Sequence, residues 1–458
     1  MNLKQLIFTA LCVTLLFSCG NDDDPDNPCD NVVCPEGFTA TTNGDVCDCI
    51  ENGTGGTSTV AVSGSIADGS TWTRDNVYEI SGKAVVETGA TLTIEPGTVI
   101  KSKPGTGSLA SALIVARGGT LMAEGTADMP IIFTSVSDNI TSGQINSPNL
   151  TEADNQLWGG LIILGNAPIS AGDGDTEAQI EGIPADDLFG RYGGADASDN
   201  SGVIKYVSVR HGGALIGADN EINGITFGGV GNGTVVENIE VVANLDDGVE
   251  FFGGTVNVTN VVVAFGEDDG IDIDQNYSGT ITNAFVIQSG ATAGDNALEI
   301  DGPEGSTYTD GLFTINNVTL IDEDSGADQA ADLKARAQGT INGASWRGYN
   351  NSDPVLIRAS FENNCADDKT DAYTNYKDGL LVITNSEWVG TTTFSGWTTV
   401  YTGSEDDNEM PCAVPGSYND DITNILSGAS NAINSAATIG ADPAPFADWS
   451  WVSVNSKL

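Results

Sequence analysis

A short motif, apolar-x-x-apolar-x-apolar, recurs five times between Val203 and Leu320: Ile204/Val207/Val209, Val236/Ile239/Val241, Val258/Val261/Val263, Ile281/Ala284/Val286 and Ile315/Val318/Leu320. Successive starts lie 32, 22, 23 and 34 residues apart. Self-similarity at this spacing marks a solenoid, in which no repeat can bury its apolar face alone and each stacks on its neighbours. A second apolar-polar-apolar stretch follows several motifs: Gly224–Phe227, Gly248–Phe251, Gly270–Ile273 and Ala297–Ile300. Val, Ile, Thr and Phe alternate with polar residues over four to six positions, punctuated by Gly and Asn-Asp, so the elements are short strands. The leucine ladder of a leucine-rich repeat is missing, and a propeller blade needs four strands per unit. Two or three strands per coil of about 22 residues predict an all-β fold, a right-handed parallel β-helix, with coils about 4.8 Å apart and longer intervals carrying loop insertions.

The pattern extends upstream through Thr91–Ile100, Ala112–Ala123, Pro130–Thr134 and Trp158–Leu164. The phrases GTVIK, GGTLMAEGT, PIIFTS, WGGLIILG and YVSVRHGG resemble those of a family of Bacteroidetes surface lipoproteins with a pectin-lyase-like β-helix. The resemblance covers roughly residues 58–345. It implies a fold and a location and no particular activity.

The N-terminus reads as an address. Lys4 and the apolar run Leu6–Phe17 make a signal-peptide core too short to span a bilayer. Leu16-Phe17-Ser18-Cys19-Gly20 resembles a lipobox, which implies cleavage before Cys19 and its acylation. The aspartate-rich stretch that follows, GNDDDPD, resembles the acidic signals that carry such lipoproteins to the exterior face of the outer membrane. The expected partner at this end is therefore the membrane, through lipid. Of eight cysteines, Cys12 is lost with the signal and Cys19 is lipidated, which leaves six in an oxidising compartment. Cys29, Cys34, Cys47 and Cys49 crowd together and predict two bridges; Cys365 and Cys412 predict a third. The first group resembles an abbreviated EGF-like module, too short to build a core unaided. The expected organisation is a signal peptide (1–18), an acidic tether (19–27), a disulfide-rich module (28–50), a linker (51–59), the β-helix (60–349), and final coils with an irregular cap (350–458).

With 64 acidic against 16 basic residues, the chain carries a net charge of −48, which excludes nucleic acid as a partner. The same excess places a column of carboxylates on the fold. Thr226, Glu250, Asp272 and Glu299 hold one position in successive coils, between apolar neighbours, so alternation points them outward to solvent. Asp246-Asp247, Asp268-Asp269 and Asp295-Asn296 occupy the preceding turns. Like charges stacked this closely destabilise each other and need a reason. One is calcium, bound by Asp246, Asp247, Glu250, Asp268, Asp269, Asp272, Asp295 and Glu299 through the hard oxygens that Ca²⁺ prefers. A second is catalysis by Glu250, Asp272 and Glu299, since carboxyls about 5 Å apart suit a retaining glycosidase. A third is structural, with turn aspartates bonded to their own backbone and the ladder solvated.

Lys205, Arg210 and His211 form a rare basic cluster that could serve a polysaccharide lyase; the plainer expectation is that Arg210 and His211 pair with turn aspartates of the next coil. Phe189, Tyr192, Trp346, Tyr349, Trp388 and Trp397 are candidate glycan platforms, while Trp158 is expected to pack beneath a turn. Two functions follow: a surface binding or scaffold module for a glycan or cell-surface protein, or a polysaccharide-degrading lyase or glycoside hydrolase on the same fold. Fold alone does not choose between them.

Overall fold

The computed structural model describes residues 38–43, 46–51, 58–184, 187–216, 221–289, 294–324, 326–349, 355–362, 367–389 and 432–458. The chain divides at Gly53/Thr54 into two units. In the first, Phe38–Asn43 pairs antiparallel with Val46–Glu51, the strand that carries Cys47 and Cys49. The expected lipidation at Cys19, and the bridges proposed for Cys29, Cys34, Cys365 and Cys412, lie outside the described residues.

The second unit is a right-handed parallel β-helix of three ladders. One long strand per coil serves two of them: Gly202–Arg210, Val235–Val242, Asn257–Ala264, Thr280–Gln288 and Phe313–Asp322. Each bends at one left-handed residue, Tyr206, Asn238, Asn260, Asn283 or Asn317, with φ between 49° and 64°. This bend explains the doubled x of the sequence motif. The extra polar residue turns the chain from one sheet to the next, and alternation restarts beyond it. Asn tolerates this backbone better than other side-chain-bearing residues. Stacking adds a reason to use it, since Asn260 Nδ2 donates to Asn238 Oδ1 at 2.9 Å and Asn283 Nδ2 to Asn260 Oδ1 at 2.7 Å.

The third ladder is made of Ile225–Gly228, Val249–Phe252, Ile271–Asp274, Leu298–Ile300 and Ala331–Leu333, paired in register. Glycine precedes the first three of these strands for a steric reason. A Cβ on Gly224, Gly248 or Gly270 would come within 2.2–2.4 Å of a methyl of the motif valine, Val241, Val263 or Val286. The inward side chains form one continuous core, with Phe227 stacked on Phe251 at 5.3 Å and Phe251 against Tyr277 at 4.6 Å. Further coils are added by Val355–Ile357, Leu381–Thr384, Glu387–Val389 and Ala432–Asn434.

Two segments outside the repeat pack on the outer faces. Residues 165–184 and 187–194 form a cover whose first part crosses the third ladder one coil at a time. Ala167 N–H bonds Gly229 O, Gly254 N–H bonds Pro168 O, and Ser170 N–H bonds Gln275 O. This cover carries a small hairpin, Glu177–Gln179 with Arg191–Gly193. Its Ile169, Ile180, Ile183 and Tyr192 pack on Ile162, Leu164, Ile222 and Phe252. The other segment is the C-terminus, expected among the irregular residues that close the helix end. Its described part runs back along the flank, where Phe446, Trp449, Trp451 and Val452 cover Val242, Val262, Phe265, Phe285 and Ile287.

Candidate metal centre

The in-register pairing stacks Thr226, Glu250, Asp272, Glu299 and Asp332 on successive coils. Their flanking residues Val249, Phe251, Ile271, Ile273, Leu298 and Ile300 all enter the core, so the carboxylates stand on the outer face as alternation requires. Solvent exposure does not follow. Glu250 is 4% and Asp272 8% exposed, with Asn223 and Glu181 against Glu250 and the turn aspartates Asp247 and Asp269 beside Asp272. The expectation of a solvated ladder is corrected on this point.

Charge compensation along the column is uneven. At its lower end the protein supplies its own cations: Lys334 pairs with Glu299 and, at 3.6 Å, with Asp301, while Arg358 clasps both oxygens of Asp332. Glu250 and Asp272 have no basic partner among the described residues. Around them stand Asp247 and Asp269 from the turns, both buried. These turn aspartates bond forward and not to their own backbone. Asp247 accepts from Asp269 N–H at 3.1 Å, and Asp269 accepts from Asn296 N–H at 2.7 Å. Four triads result, each with one oxygen per residue and all three within 4.8 Å of one another: Asp246/Asp247/Asp268, Asp247/Glu250/Asp272, Asp268/Asp269/Asp295 and Asp269/Asp272/Glu299. All eight residues singled out in the sequence are therefore brought together.

The electrostatics reflect this crowding. Burial, followed by the neighbouring carboxylates, drives the pKa values of Asp247, Glu250, Asp269 and Asp272 well above the carboxylate range. Burial and Glu181 push Asp246 up to about 8, and burial with Asp295 pushes Asp268 to about 6. Asp272 Oδ1 is buried without a hydrogen-bond partner, and so are Asn223 Oδ1 and Asn296 Oδ1 beside the column. An orphaned buried carboxylate oxygen costs free energy that a cation would recover. The donor set is all oxygen, which suits Ca²⁺ and not a soft metal.

Several residues of this site are not among the eight that the sequence singles out. Asn223 donates to Glu250 and lies 3.4 Å from Glu181 Oε1. Glu181, on the cover, touches the Glu250 carboxylate. Asp274 and Asp301 share a hydrogen bond, and burial followed by nearby carboxylates lifts them to about 7 and about 8. Three of them hold repeat positions that could have revealed them: Asn223 precedes its strand as Asp247, Asp269 and Asn296 do, and Asp301 follows Ile300 as Asp274 follows Ile273; Glu181 alone has no such signal.

The basic cluster is dispersed among other partners. Arg210 is fully buried against Glu240, Ser208 and the Ile145 carbonyl, and Lys205 pairs with Glu237 at 3.1 Å. Their partners are strand glutamates of the next coil, not turn aspartates. His211 is buried, with Nδ1 on Asp154 O, and burial holds its pKa below the usual value. The glycan platforms are also corrected. Tyr192, Trp346, Tyr349 and Trp388 are buried in the packing and present no stacking face, and Phe189 packs against the cover's apolar cluster. Trp397 lies outside the described residues. Trp158 is buried, as expected, with its indole N–H on Arg210 O at 2.7 Å.

The chain matches no curated protein and no solved structure. Residues 64–410 match the family described as pectate-lyase like beta helix domain, about three-quarters of the sequence. Three parallel ladders and the extent of that match together make this chain a member of the pectate-lyase-like β-helix family.

Proposed function

We propose that the protein is an exported, lipid-anchored β-helix whose outer acidic column binds Ca²⁺, and that it works at the cell exterior as a rigid binding scaffold for a glycan or cell-surface protein. The observation that carries the metal assignment is the contrast within the column: Glu299 and Asp332 have direct ion pairs with Lys334 and Arg358, whereas Glu250 and buried Asp272, with its orphaned Oδ1, have no ion pair among the described residues. A divalent ion at Asp247/Glu250/Asp272, and a second at Asp269/Asp272/Glu299, would complete the pattern with two charges per site. The burial of these carboxylates favours binding over catalysis, because a polysaccharide does not reach Glu250 or Asp272 in this conformation. A lyase or glycosidase would instead release unsaturated products or reducing ends from uronate polymers.

Equilibrium dialysis tests the metal assignment. The protein is expected to hold Ca²⁺ with a Kd of about 0.1–1 mM, the range of extracellular sites. Asp272→Asn, which removes a ligand shared by two triads, should weaken binding at least tenfold with the β-rich circular dichroism unchanged. Ca²⁺ binding that is absent, or indifferent to Asp272→Asn, would refute the assignment.

Location has a separate test. Cys19→Ser should move the protein from the membrane fraction to the soluble one, and retention in membranes would rule out the lipid anchor.

A further inference from the structure

The four carboxylate triads are not separate, because each shares residues with two others. Asp247 belongs to Asp246/Asp247/Asp268 and to Asp247/Glu250/Asp272, and Asp272 belongs to the latter and to Asp269/Asp272/Glu299. Asp268 and Asp269 make the two remaining links through Asp268/Asp269/Asp295. Four shared aspartates thus close the triads into a ring. The repeat produces it, since Asp246-Asp247-Gly248-Val249-Glu250 and Asp268-Asp269-Gly270-Ile271-Asp272 are the same turn and strand on stacked coils. Equivalent triads are therefore displaced by one coil, about 4.8 Å. The two turn triads both contain exposed Asp268, whereas Asp247, Glu250, Asp269 and Asp272 of the strand triads are buried. The ring also has ends. One coil earlier the matching positions hold Asn223 and Thr226; one coil later the second turn position is Asn296, and Lys334 and Arg358 pair with Glu299 and Asp332. Asp272, common to both strand triads and 8% exposed, keeps an Oδ1 without a hydrogen-bond partner. A bare carboxylate oxygen buried at the junction of two triads is an atom that a cation would satisfy.

We infer that the ring is one polynuclear Ca²⁺ array, in which neighbouring ions share Asp247, Asp268, Asp269 and Asp272 and load cooperatively. The inference rests on the cation reading of the column and adds a consequence to it. Independent sites would fill without influencing one another. Here a carboxylate has two oxygens, so a shared aspartate offers one to each of two ions. Two of the three residues in every triad are shared, so an ion that fixes one triad also fixes a ligand in each of its two neighbours. The next ion then loses less in ordering its site, which is positive cooperativity. Charge sets the limit. Eight carboxylates are offset by four divalent ions, and Lys334 on Glu299 already supplies one positive charge, so the array fills at three or four.

Flow dialysis of the full chain against Ca²⁺ counts the ions. Three or four should bind, with a Hill coefficient above 1. Asp272→Asn, at a shared position, should remove two of them, whereas Asp246→Asn, which belongs to one triad, should remove one. Mn²⁺ takes the same oxygen ligands and gives a readout that needs no variant. Ions about 5 Å apart, the coil spacing, couple magnetically, so the six-line resonance of an isolated Mn²⁺ should broaden as the array fills. A single bound ion, a Hill coefficient of 1 or below, equal losses from the two variants, or an uncoupled Mn²⁺ spectrum at full loading would each overturn the array and leave separate sites in the column standing. If no ion binds, both readings fall.

Discussion

In chelator, the melting temperature of this protein is expected to fall as the pH is raised from 5 to 8, and Ca²⁺ is expected to restore it at pH 8 while doing little at pH 5. The sign follows from where the folded pKa values lie. Asp247, Glu250, Asp269 and Asp272, with Asp246, Asp268, Asp274 and Asp301 beside them, titrate above the carboxylates of an unfolded chain, which lie near 4. Between about pH 4 and the folded values, the native state therefore binds more protons than the unfolded one, and stability decreases as pH rises. The loss begins above about pH 4 and runs through Asp268 at about 6, Asp274 at about 7, and Asp246 and Asp301 at about 8. A folded pKa one pH unit above its unfolded value corresponds to about 1.4 kcal/mol, and the groups titrate as a coupled set. Ca²⁺ requires the deprotonated ligands, so its benefit grows over the same range. At a hundred times Kd it contributes about 2.7 kcal/mol per site. Monovalent salt at matched ionic strength should do less, because it only screens. A pH profile that is flat in chelator, or a melting temperature at pH 8 indifferent to tens of millimolar Ca²⁺, would return the column to a purely structural role.

The repeat made part of this site readable in advance and concealed the rest. Ile239, Val241 and their counterparts in other coils show which side chains enter the core. The same alternation stacks Glu250 on Asp272 and Asp272 on Glu299, as the ladder does. Even the bend residues Asn238, Asn260 and Asn283 are visible as the second x of the motif. All of this is the chemistry of one coil meeting the next, repeated. The cover and the C-terminal segment obey no such period. Ile180 and Ile183 give no sign that they lie on Phe252, and nothing around Glu181 points to Glu250, 69 positions further on. The burial of the column, and so most of its electrostatics, depends on these docking events. Arg210 illustrates the same boundary. Its neighbour Ser208 pairs in register with Glu240, an outward position that the motif specifies, but the burial of Arg210 and Glu240 depends on Ile145 and on Val452, which lie against them from outside the repeat.

Glu240→Ala is expected to be among the most destabilising single changes on the outer surface of the coils, at about 3–5 kcal/mol, the usual cost of stranding one partner of a buried ion pair. Arg210 and Glu240 have no exposed side-chain surface. Glu240 accepts from Ser208 Oγ at 2.6 Å and from Arg210 Nη2 at 3.4 Å, while its other oxygen accepts Val452 N–H at 3.0 Å. Removing it leaves a guanidinium without its hydrogen-bonded counter-ion, with only the charge of Asp138 acting on it, and a backbone N–H without an acceptor, in a place water does not reach. The damage should be local at first. Solenoids unfold in segments, so exchange should accelerate at 207–210 and 239–242 and in the C-terminal helix Trp451–Val454 before the distant coils respond. The charge, and not the shape, is the source of the loss, and the double variant Arg210→Met/Glu240→Gln separates the two. Gln keeps an acceptor for Val452 N–H and offers a donor to Ser208, and Met fills the space left by the guanidinium. Most of the lost stability should return, since a buried pair replaced on both sides is often neutral. Glu240→Gln alone should stay close to Glu240→Ala, because Arg210 is still buried without its paired carboxylate. Denaturant midpoints of the wild type and these variants decide the matter. A cost below about 1 kcal/mol for Glu240→Ala, or a double variant no more stable than Glu240→Gln, would mean that the C-terminal segment is held by its aromatic packing alone.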